Sequence, residues 1–340
     1  MLFHKVVVIT TTHLPTRAVQ QIAGQCSEWT LLVVGDRKTP PGWNWPGTRF
    51  LPVSEQLDIG GTFAAKCPLN HYARKNIGYL WAIAHGAGMI AETDDDNIPY
   101  PNFLENTYRQ VSGRQVRKAG WENVYTHFSS QKIWPRGFPL ERIADSLREP
   151  SPLGDVALYD CPIQQYLADG DPDVDAVYRL TTVAETRFQP NTVILSKGTF
   201  CPFNSQNTLF WPDAYPLLYL PAHVSFRMTD IWRSFIAQIC LHARDLHIAF
   251  REPTVFQDRN QHSLLRDFAD EIPGYLNNAR ILDILSALPL SPDPGRTGEN
   301  LWRCYDALVR ADIVPAREME MVDLWLQALD SMAGAVPASG

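Results

Sequence analysis

Met89-Ile90-Ala91-Glu92-Thr93-Asp94-Asp95-Asp96-Asn97 is the stretch whose reading decides the fold. Three apolar residues read as a buried strand, and a run of carboxylates stands at its carboxyl end. In an open α/β sheet, ligands bind outside the carboxyl ends of the strands. Three adjacent carboxylates repel one another unless a cation or solvent offsets their charge. Mg2+ or Mn2+ is held by one or two carboxylates, with substrate phosphates completing the shell. An arbitrary Asp triplet reads first as a solvated acidic turn. The buried strand before it, and the pattern upstream, move the reading toward a metal-assisted phosphate site.

That upstream pattern is a βαβ unit. Residues 5–12 form a short β-branched strand, and residues 14–23 a helix with Pro15 near its start and Gly24 at its stop. Residues 30–34 form a second strand ended by Gly35-Asp36. Strand, helix and strand in that order predict a parallel sheet with right-handed crossovers. Residues 39–48 are a Pro/Gly/Trp-rich loop, and residues 49–53 a short strand. Residues 70–85 place Tyr72, Ile77, Leu80, Trp81 and Ala84 on one helix face, with Gly86 and Gly88 ending it. Arg74-Lys75-Asn76 opens that helix. Two cations beside free N–H groups could hold a diphosphate, although such a pair alone reads first as an exposed charged face.

Downstream, residues 124–128 and 193–195 read as strands among Pro-rich loops, and residues 229–246 as a helix. Residues 248–256 read as a strand broken by Pro253. From Leu264 onward the pattern is helical, with Leu282, Leu285, Leu288, Leu301, Leu308, Leu324 and Leu326 as packing residues. Pro292 and Pro294 mark a loop, and residues 334–340 a frayed end. Thr229 is an expected N-cap, and Asp230 in the first turn suits the helix dipole or, more sharply, serves as a general base. Arg136, in Trp134-Pro135-Arg136-Gly137-Phe138-Pro139-Leu140, reads as a phosphate or carboxylate binder or as a salt-bridge partner. Asp169-x-Asp171-x-Asp173-x-Asp175 begins like a calcium loop but fails. Val174 stands at the required Gly, Leu180 at the required Glu, and Pro172 interrupts, so a substrate-facing acidic loop is expected instead.

Composition sets the bounds. The 340 residues carry a net charge of −7, from 37 acids and 30 bases, with 45% hydrophobic and 20% charged residues. These values exclude a disordered, collagen-like or rod-like chain, and the acid excess argues against nucleic acid as a partner. The six cysteines show no metal spacing and read as buried thiols of a reducing compartment. No stretch approaches the ~20 apolar residues of a membrane helix, and the N-terminal apolar run is too short for a signal peptide. A soluble, cytoplasmic protein with no membrane span is expected. P-loop, Rossmann G-x-G-x-x-G, zincin and G-x-S-x-G signatures are absent.

Five segments in order resemble one family: Tyr72–Leu80, Asp94–Asn97, Trp134–Leu140, Pro172–Leu180 and Arg227–Ser234. They are similar to the STELLO-type glycosyltransferase-like proteins. A more distant likeness is to the reversibly glycosylated polypeptides, which include UDP-arabinopyranose mutases. There the Arg136 position is the one glycosylated, and an acidic residue matches Asp230 before Ile231-Trp232.

The resemblance implies an α/β fold of GT-A type: a Rossmann-like nucleotide-binding half and an acceptor half on a mixed central sheet, over residues 1–262. Residues 263–340 would be a helical region packed on it. By the same resemblance, Asp94 and Asp96 would hold Mn2+ or Mg2+ on a nucleotide-sugar diphosphate, with Asp95 beside them and His262 as a third metal ligand. Thr10, Thr11, Thr12 and Asp36 would meet base and ribose. Arg74, Lys75 and Asn76 would line the nucleotide pocket, and Asp173 and Asp175 would approach the sugar. The implied activity is metal-dependent transfer from a UDP-type sugar nucleotide to a carbohydrate acceptor, with Asp230 as base and Arg136 at the centre. A mutase or self-glycosylating protein with Arg136 as acceptor, and a catalytically silent scaffold, are the alternatives.

Overall fold

The computed structural model describes residues 4–182, 184–258 and 263–335. Its N-terminal third follows the expected βαβ logic. Strand β1 (His4–Thr11), helix α1 (Arg17–Gln25), strands β2 (Thr30–Gly35) and β3 (Thr48–Leu51), helices α2 (Val53–Lys66) and α3 (Lys75–Ala84), and strand β4 (Ala87–Thr93) build a parallel quartet. Val6 to Ile9 are all fully buried, as is normal for a parallel strand covered on both faces.

The remainder adds strands of both senses. These are β5 (Asn97–Pro99), β6 (Gln110–Val116), β7 (Gly120–Trp121), β8 (Leu153–Asp160), β9 (Ile163–Gly170), β10 (Thr192–Leu195), β11 (Thr199–Phe200), β12 (Asn207–Phe210) and β13 (Ile248–Gln257). The order β3-β2-β1-β4-β12-β9-β13-β10-β6-β8, with β5 on β13, makes one mixed eleven-stranded sheet; β7 and β11 pair apart. Short helices α4 (Ile143–Ser146) and α5 (Ala176–Thr181) sit in connections. Helix α6 (Thr229–Ala243) is buried along nearly its whole length. The fold class is therefore the expected α/β with a mixed central sheet and helical extensions.

Helices α7 (Leu264–Ser286), α8 (Thr297–Arg310) and α9 (Glu318–Ala335) pack into the same core as α2, α3 and α6. Trp325 is fully buried, with its ring 5.9 Å from those of Phe63 and Tyr219. The Glu318 carboxylate is buried too. It accepts the Tyr219 hydroxyl and the backbone N–H groups of Ala222 and His223, both at 2.8 Å. All six cysteines are buried free thiols. Among the described residues no helix is long and apolar enough to cross a membrane.

Several local readings need correction. Residues 124–128 are not a strand: Val124–His127 is a 3-10 turn, because the Thr126 hydroxyl and amide both bond the Asn123 carbonyl. Pro253 does not break β13. The strand runs on, and the proline falls where its register on β9 shifts, between Arg251 and Val255, so no ladder hydrogen bond is lost. The helix expected from residue 70 starts later, as a 3-10 turn over Tyr72–Arg74 leading into α3. Thr229 lies inside α6 and bonds back to the Phe226 carbonyl at 2.7 Å instead of capping.

Candidate functional site

A cavity of about 490 Å³ opens at the carboxyl ends of β1, β2 and β4. Its wall brings together Thr10, Thr11, Thr12, Asp36, Asp94, Asp95, Asp96, Arg136, Asp173 and Asp230. These residues come from six separate stretches of chain, and the sheet register explains the meeting. Parallel pairing of β1 with β2 and β4 puts their ends level. Antiparallel β12 then delivers Ser205 and Gln206 beside them.

The acidic turn is built into the wall. Asp95 Oδ2 accepts the Thr11 hydroxyl at 2.5 Å and lies 3.2 Å from His13 Nδ1. The Asp95 carbonyl accepts the hydroxyl of Thr16, which also caps α1. Asp94 Oδ1 accepts the Tyr72 hydroxyl at 2.6 Å and Lys75 Nζ at 3.1 Å. Asp96 lies 3.4 Å from the Gln257 amide, and its carbonyl accepts the Asp258 N–H. Lys75 is fully buried beneath the turn, where its ammonium also reaches the Thr93 carbonyl at 2.8 Å. One cation thus offsets part of the repulsion between three adjacent carboxylates.

Across the cavity stands a second charged group. Arg136 forms a bidentate pair with Asp173, at 2.7 and 2.9 Å, and reaches both oxygens of Asp230 at 3.0–3.1 Å. It also donates to the Arg227 carbonyl. One guanidinium between two buried carboxylates leaves a net charge of −1. Burial alone would raise the Asp230 pKa, but the charge and hydrogen bonds of Arg136, then Arg233, hold it at about 2. Burial pushes Asp173 up, against the pull of Arg136. Ser205 joins the two groups: its hydroxyl lies 2.6 Å from that of Tyr72 and donates to Asp230 at 3.1 Å.

Other expected residues are placed elsewhere. Arg74 reaches the wall, but its guanidinium turns inward to Gln56 and to the carbonyls of Cys67 and Ala64, tying α2 to α3. Lys75 faces Asp94, not open space. The Asn76 amide clasps both backbone groups of Leu220, at 2.7 and 2.8 Å. The common cause is that these three belong to a buried helix start, not to the exposed end a diphosphate would meet. Asp175 caps α5 through Tyr178 N–H and accepts Trp134 Nε1 at 2.7 Å, with its pKa raised to about 6 by burial. Arg136 is central, but its side chain is committed to ion pairs, which does not favour a glycosyl acceptor. His262 lies outside the described residues.

Tyr72, Ser205, His13, His71, Phe226 and Arg227 also line the cavity. Sequence reasoning missed them as site residues. In the sequence Tyr72 reads as a packing position on the helix face, and a lone Ser or Phe gives no signal at all.

The donor set suits a hard cation. Asp94, Asp95 and Asp96 offer carboxylate oxygens on the rim of a polar cavity, and Mg2+ or Mn2+ needs only one or two of them beside phosphate oxygens. Among the described residues no group of three or more His, Cys, Asp or Glu side chains is placed to hold a metal ion.

Residues 227–338 match the family described as STELLO glycosyltransferases. Two Arabidopsis thaliana proteins, "Probable glycosyltransferase STELLO2" and "Probable glycosyltransferase STELLO1", are 31% and 30% identical over 83% of this chain. The chain spans 39% of the length of each. The crystal structure of M. tuberculosis glucosyl-3-phosphoglycerate synthase aligns at a TM-score of 0.42 and 11% identity, covering 81% of this chain and 80% of that one. That likeness is too loose to carry an argument.

Proposed function

From the premise that this chain matches the STELLO glycosyltransferases, we propose that it is a metal-dependent glycosyltransferase of GT-A type using a nucleotide-sugar donor, with UDP as the favoured nucleotide. One observation carries the reading: an acidic turn and an Arg136–Asp173–Asp230 cluster face each other across a single cavity at the strand ends. Asp94 and Asp96 would hold Mn2+ or Mg2+, with Asp95 as the other candidate ligand. When bound, the cation supplies positive charge against the diphosphate leaving group.

The protein's own residues do the rest. Thr10, Thr11, Thr12 and Asp36 meet base and ribose at the ends of β1 and β2. Lys75 and Tyr72 hold Asp94 in place from below. The acceptor hydroxyl approaches from the Arg136 side. If the configuration inverts, its proton passes to a carboxylate as the new glycosidic bond forms and the diphosphate departs. Asp230, held at about 2 by Arg136, is a weak base. Asp173, where burial acts against the pull of Arg136, is the second candidate for that proton, and Arg136 keeps both carboxylates oriented.

The test is sugar-nucleotide hydrolysis and transfer in Mn2+, by the full chain and by an Asp94→Ala/Asp96→Ala variant. Metal-dependent turnover that the variant loses supports the reading. Unchanged turnover and unchanged metal-dependent nucleotide binding in the variant would end it.

A further inference from the structure

Phe226 stands out on the wall of this cavity. It is a large apolar ring left 48% exposed in a pocket whose lining residues are mostly polar or charged. Exposing apolar surface is unfavourable, and a lone surface Phe needs no explanation. This one is held rigidly where it is. Its 3-10 turn, Phe226–Met228, is fixed to α7 by Ser225 donating to the Asp270 carbonyl and by Arg227 on Glu271 at 2.8 and 3.0 Å. The Thr229 hydroxyl pins the Phe226 carbonyl at 2.7 Å. The rings of His71 and Tyr72 pack against Phe226 edge to face, at 5.9 and 5.8 Å.

Its position matters as much as its exposure. The Tyr72 ring it touches carries the hydroxyl that binds Asp94. The Arg227 carbonyl beside it accepts from Arg136. Phe226 therefore stands on the cavity wall beside both the support of the acidic turn and the Arg136 cluster.

We infer that Phe226 is the platform on which the acceptor sugar lies, and that the acceptor is a pyranose. A pyranose has one face rich in C–H bonds and a rim of hydroxyls. The weakly positive C–H hydrogens suit the negative face of an aromatic ring, and stacking removes apolar area of both partners from water. With its flat side on Phe226, the ring turns its hydroxyl rim toward Asp173 and Asp230. A flexible polyol such as glycerol, or a Ser side chain, has no comparable face. This inference rests on the glycosyltransferase reading for the role of the site, but not for the stacking itself.

The test uses the full chain, with and without UDP and Mn2+, and variants Phe226→Ala and Phe226→Trp. Methyl β-D-glucopyranoside and glycerol serve as probes in saturation-transfer NMR, and calorimetry follows UDP with Mn2+. The expected result is pyranoside binding through its C–H face, weakened about tenfold in Phe226→Ala and kept in Phe226→Trp, with glycerol giving no Phe226-dependent signal. UDP–Mn2+ affinity should stay within about twofold. Equal pyranoside binding by wild type and Phe226→Ala, or no pyranoside contact at all, would overturn the inference. So would a loss of UDP affinity in Phe226→Ala, since the ring would then serve the nucleotide. Failure of UDP to bind while Phe226-dependent pyranoside binding persists would overturn the glycosyltransferase reading and leave the platform standing.

Discussion

Arg233 on α6 and Glu92 on β4 form a buried ion pair, with Nη2–Oε1 at 2.5 Å and Nη1–Oε2 at 3.0 Å. The two side chains are 1% and 0% exposed. Tyr79 adds its hydroxyl to Glu92. Glu92 lies two residues before the acidic turn, and Arg233 nearly one helical turn after Asp230. The pair therefore fixes the spacing between the two charged groups of the cavity.

Breaking that pair from one side should cost more than removing it. Arg233→Met strands the Glu92 carboxylate and should lower stability by about 3–5 kcal/mol. Adding Glu92→Leu should recover part of this, because no buried charge is then left alone, while the Tyr79 hydroxyl loses its acceptor. Urea unfolding of the single and double variants checks it. If the double variant is no more stable than the single, the bridge is not the origin of the cost.

Arg136→Met should change how stability depends on pH. In the wild type, Asp230 is held at about 2, below its unfolded value of 3.8. Its contribution is fully present above 3.8 and is lost as pH falls through 2. Without Arg136, the buried Asp173 and Asp230 repel each other, and at least one pKa rises. The folded state then binds more protons than the unfolded chain, so stability should fall as pH rises above about 4. Unfolding curves from about pH 4 to 7 give the slope. A variant slope equal to that of the wild type would contradict the ion-pair account.

His242 carries a different pH signature. It is buried against Phe200, its ring nitrogens take no hydrogen bond among the described residues, and burial lowers its pKa to about 4. The unfolded chain takes up the proton near 6.5, before the folded state can. Stability from this group is complete above 6.5 and declines as pH falls toward 4, by roughly 3 kcal/mol in all. His242→Leu should flatten this decline, with a gain that grows as pH falls from 6.5 toward 4. Thermal unfolding at about pH 5 and 7.5 tests it; a gain equal at both values would point to packing alone.

Ligand linkage offers a screen for the donor. A nucleotide sugar that binds only the folded chain stabilises it by about 2.7 kcal/mol at one hundred times its Kd. The shift should appear with Mn2+ and vanish in Asp94→Ala/Asp96→Ala. A shift that persists in that variant without metal would place the nucleotide elsewhere.

The N-terminal half was legible because its signals are local. Val6 to Ile9 and Leu31 to Val34 are continuous apolar runs, and the strand-helix-strand order leaves few alternatives. Strands β9 and β12 were not legible. Gln164, Gln165, Asn207 and Thr208 look like loop residues, yet all are buried, and Gln165 bonds the Asn207 carbonyl and Asn204 N–H across the sheet. Helix α2 was hidden by Gly60-Gly61, where Gly61 takes a positive φ of 49° inside the element.

By itself the sequence determined the parallel βαβ start, the acidic turn at a strand end and the presence of one arginine in a rigid loop. Periodicity and charge spacing are properties of neighbouring residues, so they survive in one dimension. Tertiary structure alone decided which charges face the cavity. Arg74, Lys75 and Asn76 read as ligand-facing, but a buried helix start demands partners for each, and they found them in Gln56, Asp94 and Leu220. Arg136 met Asp173 and Asp230 across 37 and 94 positions of chain. Such pairings follow from the cost of leaving a buried charge alone, which depends on the folded surroundings and has no trace in sequence spacing.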